Sequence, residues 1–133
     1  MTRSLLRAGA LILAAAIAAP VAAQDYPTRD ITAIVGFPAG SGADVYARFF
    51  ANKLSQAVKQ NVVVMNRPGA NSSIATEAVA RAKPDGYTLF FGGSDAFGSP
   101  LYLFKKPSTD PRKDFTYISP LLGQAFILVV ASD

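Results

Sequence analysis

The residues best suited to chemistry in this chain sit in three short polar loops. Pro38-Ala39-Gly40-Ser41-Gly42-Ala43-Asp44 follows an apolar run, Ile31 to Phe37, and precedes a helical stretch. A strand feeding a glycine-rich turn at a helix start presents unpaired backbone N–H groups at the positive end of a helix dipole, a ready site for a carboxylate. Small residues let such a ligand approach the backbone, and Ser41 adds a hydroxyl donor. Gly69-Ala70-Asn71-Ser72-Ser73 repeats the pattern after a second apolar run, and Gly92-Gly93-Ser94-Asp95 after a third. Taken singly, each loop is more often an ordinary turn whose glycines only reverse the chain. Together they fall along one edge of a parallel sheet, where α/β folds bind ligands.

Other chemistries are poorly served. The chain has no His and no Cys, which removes a His-based triad, a thiol nucleophile and the common zinc sites. No metal site and no cofactor site is expected. Gly40-Ser41-Gly42 lacks the third glycine of a dinucleotide fingerprint, no Gly-Lys-Ser/Thr follows, and the second strand ends in Asn66 rather than an acidic residue for a ribose. An exported α/β hydrolase would need Ser41 or Ser94 activated by a base other than His. No Gly-x-Ser-x-Gly elbow is present, and Lys53 and Lys59 have no evident pairing. A carboxylate in a helix's first turn, such as Asp44, is more often a dipole partner or cap than a catalyst. The chain is thus expected to bind rather than to catalyse.

The amino end explains where. Arg3 and Arg7 precede an apolar core, Ala8 to Ala19, and Val21-Ala22-Ala23 forms a small-residue cleavage pattern. Residues 1–23 are therefore expected to be a signal peptide cut before Gln24, placing residues 24–133 in the periplasm. The apolar core is short for a spanning helix of about 20 residues. Without Cys there is no lipoprotein anchor, and without an Arg-Arg pair no twin-arginine route. Removing Arg3 and Arg7 leaves 11 basic against 9 acidic residues, scattered apart from Lys105-Lys106 and giving no nucleic-acid footprint.

The elements that must position the loops follow from periodicity. Ile31–Phe37 reads as a strand, Asp44 to Lys59 as a helix with Tyr46, Ala47, Phe50, Ala51, Leu54, Ala57 and Val58 toward the core, and Val62–Asn66 as a second strand. Val45 and Phe49 fall off that apolar stripe. Ser72 or Ser73 caps a second helix reaching Ala82, with Glu77 in its early turns. Pro84-Asp85-Gly86 makes a turn, and Thr88–Gly93 is a third strand, apolar enough to be buried on both faces. Beyond it come a loop over 94–99, a short helix at 101–104, turn-rich 108–114 with Asp110 and Asp114 at the surface, and two strand segments within 118–130. The βαβαβ order predicts an α/β fold with a mostly parallel sheet and right-handed crossovers.

Tyr26-Pro27, Ile31-Thr32, Phe37-Pro38-Ala39-Gly40, Asp44-Val45 and Ala47-Arg48 together resemble the opening of the Bug receptors, the periplasmic substrate-binding proteins of tripartite tricarboxylate transporters. Val62-Val63-Val64 with Asn66-Arg67-Pro68-Gly69-Ala70 resembles their second block. Ala78 to Ala80 with Pro84-Asp85-Gly86-Tyr87-Thr88-Leu89, and then Lys113-Asp114-Phe115, continue the match to the carboxyl end. The resemblance implies a class II periplasmic-binding-protein fold, in which two α/β lobes close on a small organic carboxylate and a monomeric receptor delivers it to a membrane permease. It carries the ligand contacts onto Phe37, Ala39, Gly40, Ser41, Gly42 and Asp44, onto Ala70, Asn71 and Ser72, and onto Ser94, with Asp95 beside it. The family loop usually has Gly at the position of Ser41, Thr at that of Ala43, Gly-Gly at Asn71-Ser72, and a small neutral residue at Asp95. A carboxylate there would repel an anionic ligand unless it meets a cation. The chain stops about where the family crosses into its second lobe. It is therefore expected to be a truncated amino-terminal lobe presenting half a site, or a fragment that binds nothing on its own, with Phe126–Val130 an exposed apolar liability.

Overall fold

The computed structural model describes residues 25–123. Residues 1–24, which include the expected signal peptide, and the segment 124–133, with Phe126–Val130, lie outside the described residues.

Three parallel strands form the sheet: β1 (Ile31–Val35), β2 (Val62–Asn66) and β3 (Thr88–Phe91), in the order β2-β1-β3. Ile31 pairs with Val62 and Val35 with Asn66 on one side of β1, while Thr32 pairs with Thr88 and Val35 with Phe91 on the other. β1 is central, and its Ile31, Ala33, Ile34 and Val35 are all buried. β3 is only half-buried along its length rather than covered on both faces, because it borders a single strand among the described residues. Val63 and Met65 of β2 are exposed on the opposite flank.

The two long helices cover opposite faces. Helix α1 (Gly42–Val58) packs on β2 and β1, with Asp44 and Arg48 reaching Asn66. Helix α2 (Ser73–Ala80) packs on β3 and β1. A groove of about 450 Å³ beside this contact is lined by Thr32, Ile34, Met65 and Thr88 of the sheet and by Ile74, Glu77 and Ala78 of α2. Both interfaces are made with small residues, Ala47 and Ala51 on α1 and Ala75 on α2, so the helices sit close to the sheet. The expected core role of Tyr46 is not realised: it is 49% exposed. Val45 and Phe49 are exposed too, as their place off the stripe implies, and Phe49 packs edge-on against Phe50 with ring centroids 5.4 Å apart.

α1 starts two residues before Asp44, because Ser41 caps it. It ends at Lys59, which adopts a left-handed conformation with φ 56°. The segment expected as a loop over 94–99 is instead a short helix, α3 (Ser94–Gly98), followed by α4 (Pro100–Leu103). Asp110 caps α5 (Pro111–Asp114) by accepting from the Arg112 amide at 3.1 Å. Residues 118–123, expected to begin a strand, form none, and Pro120 within them has no amide hydrogen for a ladder. Phe97 of α3 gathers Phe90, Phe115 and Tyr117 edge-on at 5.2–5.6 Å, which ties this tail to β3.

A clasp fastens the amino-terminal arm. Tyr26 donates to the Gly86 carbonyl at 2.7 Å, the Thr28 amide donates to the Tyr87 hydroxyl at 2.9 Å, and Arg29 pairs with Asp85 at 2.9 Å while lying 3.9 Å over the Tyr87 ring.

Candidate functional site: three loops at the carboxyl edge of the sheet

The loops after β1, β2 and β3 lie at the same edge because the strands are parallel. The first loop is braced from within. Asp44, 2% exposed, accepts from the Gly40 amide at 2.8 Å, from Arg48 Nε at 2.9 Å and from Asn66 Nδ2 at 2.7 Å. Asn66 Nδ2 also donates to the Phe37 carbonyl at 3.1 Å, and its Oδ1 accepts from Arg48 Nη2 at 2.9 Å. The Arg48 guanidinium, the Asn66 amide and the Gly40 N–H together hold the Asp44 carboxyl at about 2, below its ordinary 3.8. Asp44 is thus turned inward as the keystone of the loop, not outward toward a ligand. Asn66 and Arg48 were not picked out as loop supports from the sequence. An Asn ending a strand and an Arg one turn after an Asp were the available signals.

What the brace presents is backbone. Ser41 Oγ accepts from the Asp44 amide at 3.3 Å, which leaves the hydroxyl proton free to donate. The N–H groups of Gly42 and Ala43, first in a helix of 17 residues, have no partner among the described residues. Gly40 has φ +81°, and a Cβ there would meet nothing within 4 Å. Ala39, Gly40 and Gly42 are exposed, and Phe37 is half-buried.

The second loop is wound in the left-handed sense through Ala70, Asn71 and Ser72, with φ of 46°, 51° and 63°. Three such non-glycine residues in succession are costly for L-amino acids. Ser72, 4% exposed, donates its hydroxyl to the Gly36 carbonyl at 3.2 Å. Its side chain therefore ties the second loop to the first rather than entering the cleft. Ser72 occupies the cap position of α2 without a side-chain capping bond. Ala70 and Asn71 are exposed. In the third loop Gly93 precedes α3, Ser94 is exposed and Asp95 is half-buried. An added Cβ on Gly93 would stand 3.6 Å from Phe37 Cζ, so the third loop also meets the first.

The structure thus brings the three loops together through Gly36–Ser72 and Phe37–Gly93. Among the described residues there is no group of three or more acidic side chains able to hold a metal ion. No helix among them is long and apolar enough to cross a membrane.

Comparison with known proteins agrees with this architecture. Residues 46–133 match the profile of the tripartite tricarboxylate transporter family receptor. A UPF0065 protein of Bordetella bronchiseptica is 42% identical over 133 residues, covering 99% of this chain and 39% of that protein. Among solved structures, the periplasmic binding protein BugD is 35% identical with TM-score 0.61, covering 68% of this chain and 30% of that one. MatC from Rhodopseudomonas palustris with bound malate is 35% identical with TM-score 0.65, covering 68% of this chain and 31% of that one. The chain therefore spans about two fifths or less of the length of these relatives, and its sheet and flanking helices are part of a periplasmic-binding-protein fold. A parallel three-loop edge, a match over most of the chain and these structural neighbours place the chain in the tripartite tricarboxylate transporter receptor family, that of the Bug-type periplasmic solute-binding proteins.

Proposed function

We propose that residues 24–133 form the amino-terminal lobe of an extracytoplasmic receptor for a small organic carboxylate, exported by a leader at 1–23 and serving a tripartite tricarboxylate transporter through its membrane permease. The observation that carries this reading is the pair of unpartnered N–H groups at Gly42 and Ala43, beside the Ser41 hydroxyl and held by the Asp44–Arg48–Asn66 brace. Such a group binds an anion by directed hydrogen bonds and dipole without a cationic side chain. Ala39 and Gly40 clear its approach, and the exposed residues Ala70 and Asn71 lie on the neighbouring loop of the same edge. The bound malate of the neighbour MatC is a carboxylate of this kind. No step of bond making is assigned to any residue: the loops position, and the ligand leaves unchanged.

The described residues supply one wall of donors, and a ligand held on that wall alone stays open to water on its other side, which weakens its binding. The test is titration of the purified, isotope-labelled chain with malate, followed by amide NMR. Shifts concentrated at Gly42, Ala43 and Asn71 support the reading. Amides that stay unmoved to high millimolar malate favour instead a polypeptide that binds no ligand by itself.

A further inference from the structure

Seven carboxylates lie between Asp30 and Asp114, and six of them have a hydrogen-bond or ionic partner. Asp30 accepts from Asn61, Asp44 from Arg48, Glu77 from Arg81, Asp85 from Arg29, Asp110 from Arg112 and Asp114 from the Asp110 amide. Asp95 is the exception among these seven, with no partner among the described residues. It is half-buried, it belongs to the third loop, and its carboxylate folds back across Gly93. A Cβ built on Gly93 would collide with Asp95 Oδ1 and stand 3.6 Å from Phe37 Cζ, so this carboxylate and the Phe37 ring of the first loop both lie beside Gly93. The same side chain lines a hollow of about 560 Å³ with Ser94, Gly98, Ser99 and Tyr102.

A half-buried, unpartnered charge is costly unless something arrives to meet it. On the loop edge proposed above to take a carboxylate, a like charge penalises ligands that offer carboxylates alone. Resting on the receptor reading above, we propose that Asp95 is a specificity-determining residue that selects small carboxylates carrying a protonated amine, and rejects those with no donor group. The ligand's carboxylate would sit on the amides of the first loop and its ammonium would face Asp95. A hydroxyl in the same place would be accepted less strongly, since it brings a hydrogen bond without a charge.

Succinate, malate and aspartate share a four-carbon dicarboxylate frame and differ only in the substituent, so they isolate the effect. Each is titrated into the purified chain and into its Asp95→Asn variant, with the Gly42 and Ala43 amides as the binding readout and circular dichroism as the check on folding. In the unaltered chain aspartate should bind more tightly than succinate. Asp95→Asn should strengthen succinate and weaken aspartate, each by about fivefold, the scale of a unit-charge contact near 4 Å in water. If the Asn variant is unfolded, Asp95→Ser makes the same comparison. Parallel changes for all three ligands, or none, overturn the role of Asp95 while leaving the carboxylate site standing. Silence of the Gly42 and Ala43 amides to every ligand in the unaltered chain overturns the receptor reading and this proposal together.

Discussion

Ser72 Oγ donates to the Gly36 carbonyl at 3.2 Å, and a Cβ added to Gly36 would stand 2.5 Å from that same oxygen. The two residues are 36 positions apart, and their contact is where the second loop closes on the end of β1. Gly36→Ala should cost about 1–3 kcal/mol, the usual range for overpacking a closed site. Urea unfolding reads it directly, and a midpoint equal to that of the unaltered chain would show that Ser72 can swing aside.

Ala70 has φ 46°, a region that costs an L-residue roughly 1–2 kcal/mol and glycine almost nothing. Ala70→Gly should therefore raise stability by about 0.5–1 kcal/mol, after the extra entropy of glycine in the unfolded chain is set against the relief. A lower urea midpoint would mean that the loop relaxes out of the left-handed region in solution.

Asp44 titrates at about 2 in the folded chain, against an ordinary 3.8. A folded-state value below the unfolded one makes the ionised brace stabilising above 3.8, and that contribution is lost as pH falls from 3.8 toward 2. Asp44→Asn removes the acceptor shared by Gly40, Arg48 and Asn66, so the variant should be less stable at neutral pH. It should also lose less further stability on acidification to pH 2. Thermal melts of both proteins from pH 6 to 2 check this. Asp110, held at about 2 chiefly by Arg112, contributes to the acid loss in both and cancels in the comparison.

Gly40 has φ +81° with open space where a Cβ would go. Gly40→Val should cost about 1 kcal/mol or more through the backbone alone, and should abolish malate-induced shifts at Gly42 and Ala43 while circular dichroism stays folded. Undiminished shifts would place the ligand elsewhere on the edge.

Export supplies a further check. Amino-terminal sequencing of the periplasmic product should begin at Gln24, within a residue or two. An intact chain from Met1, firmly held in the inner membrane, would replace a cleaved leader with an anchor.

The alternation of apolar runs with polar turns was enough to place β1, β2 and α1 within a residue or two, because each strand is an apolar run bounded by polar turns and the helix between them spans 17 residues. It also put the three loops on one edge, which parallel order alone requires. It misjudged β3 because burial on a strand depends on position within the sheet, and strand order is a tertiary property that Thr88 to Phe91 do not encode locally. It misjudged Tyr46 for a related reason: alanines carry the helix–sheet contact, and a large ring at the stripe's margin is pushed to the surface. It gave Asp44 a local role but could not find Asn66, 22 residues away, since a side-chain network joins residues that only folding brings near.

The clasp at the amino end has a consequence in time. Tyr26 and Arg29 are secured by residues 60 and 56 positions later, Gly86 and Asp85. A chain made amino end first exposes the arm long before its fasteners emerge. The arm stays loose until most of the sheet has been delivered, and latching it closes a loop of nearly sixty residues in a single late event. That order of arrival leaves Tyr26 and Arg29 open to a protease while the chain is still emerging, and withdraws them once Asp85 to Tyr87 have arrived and the clasp has latched.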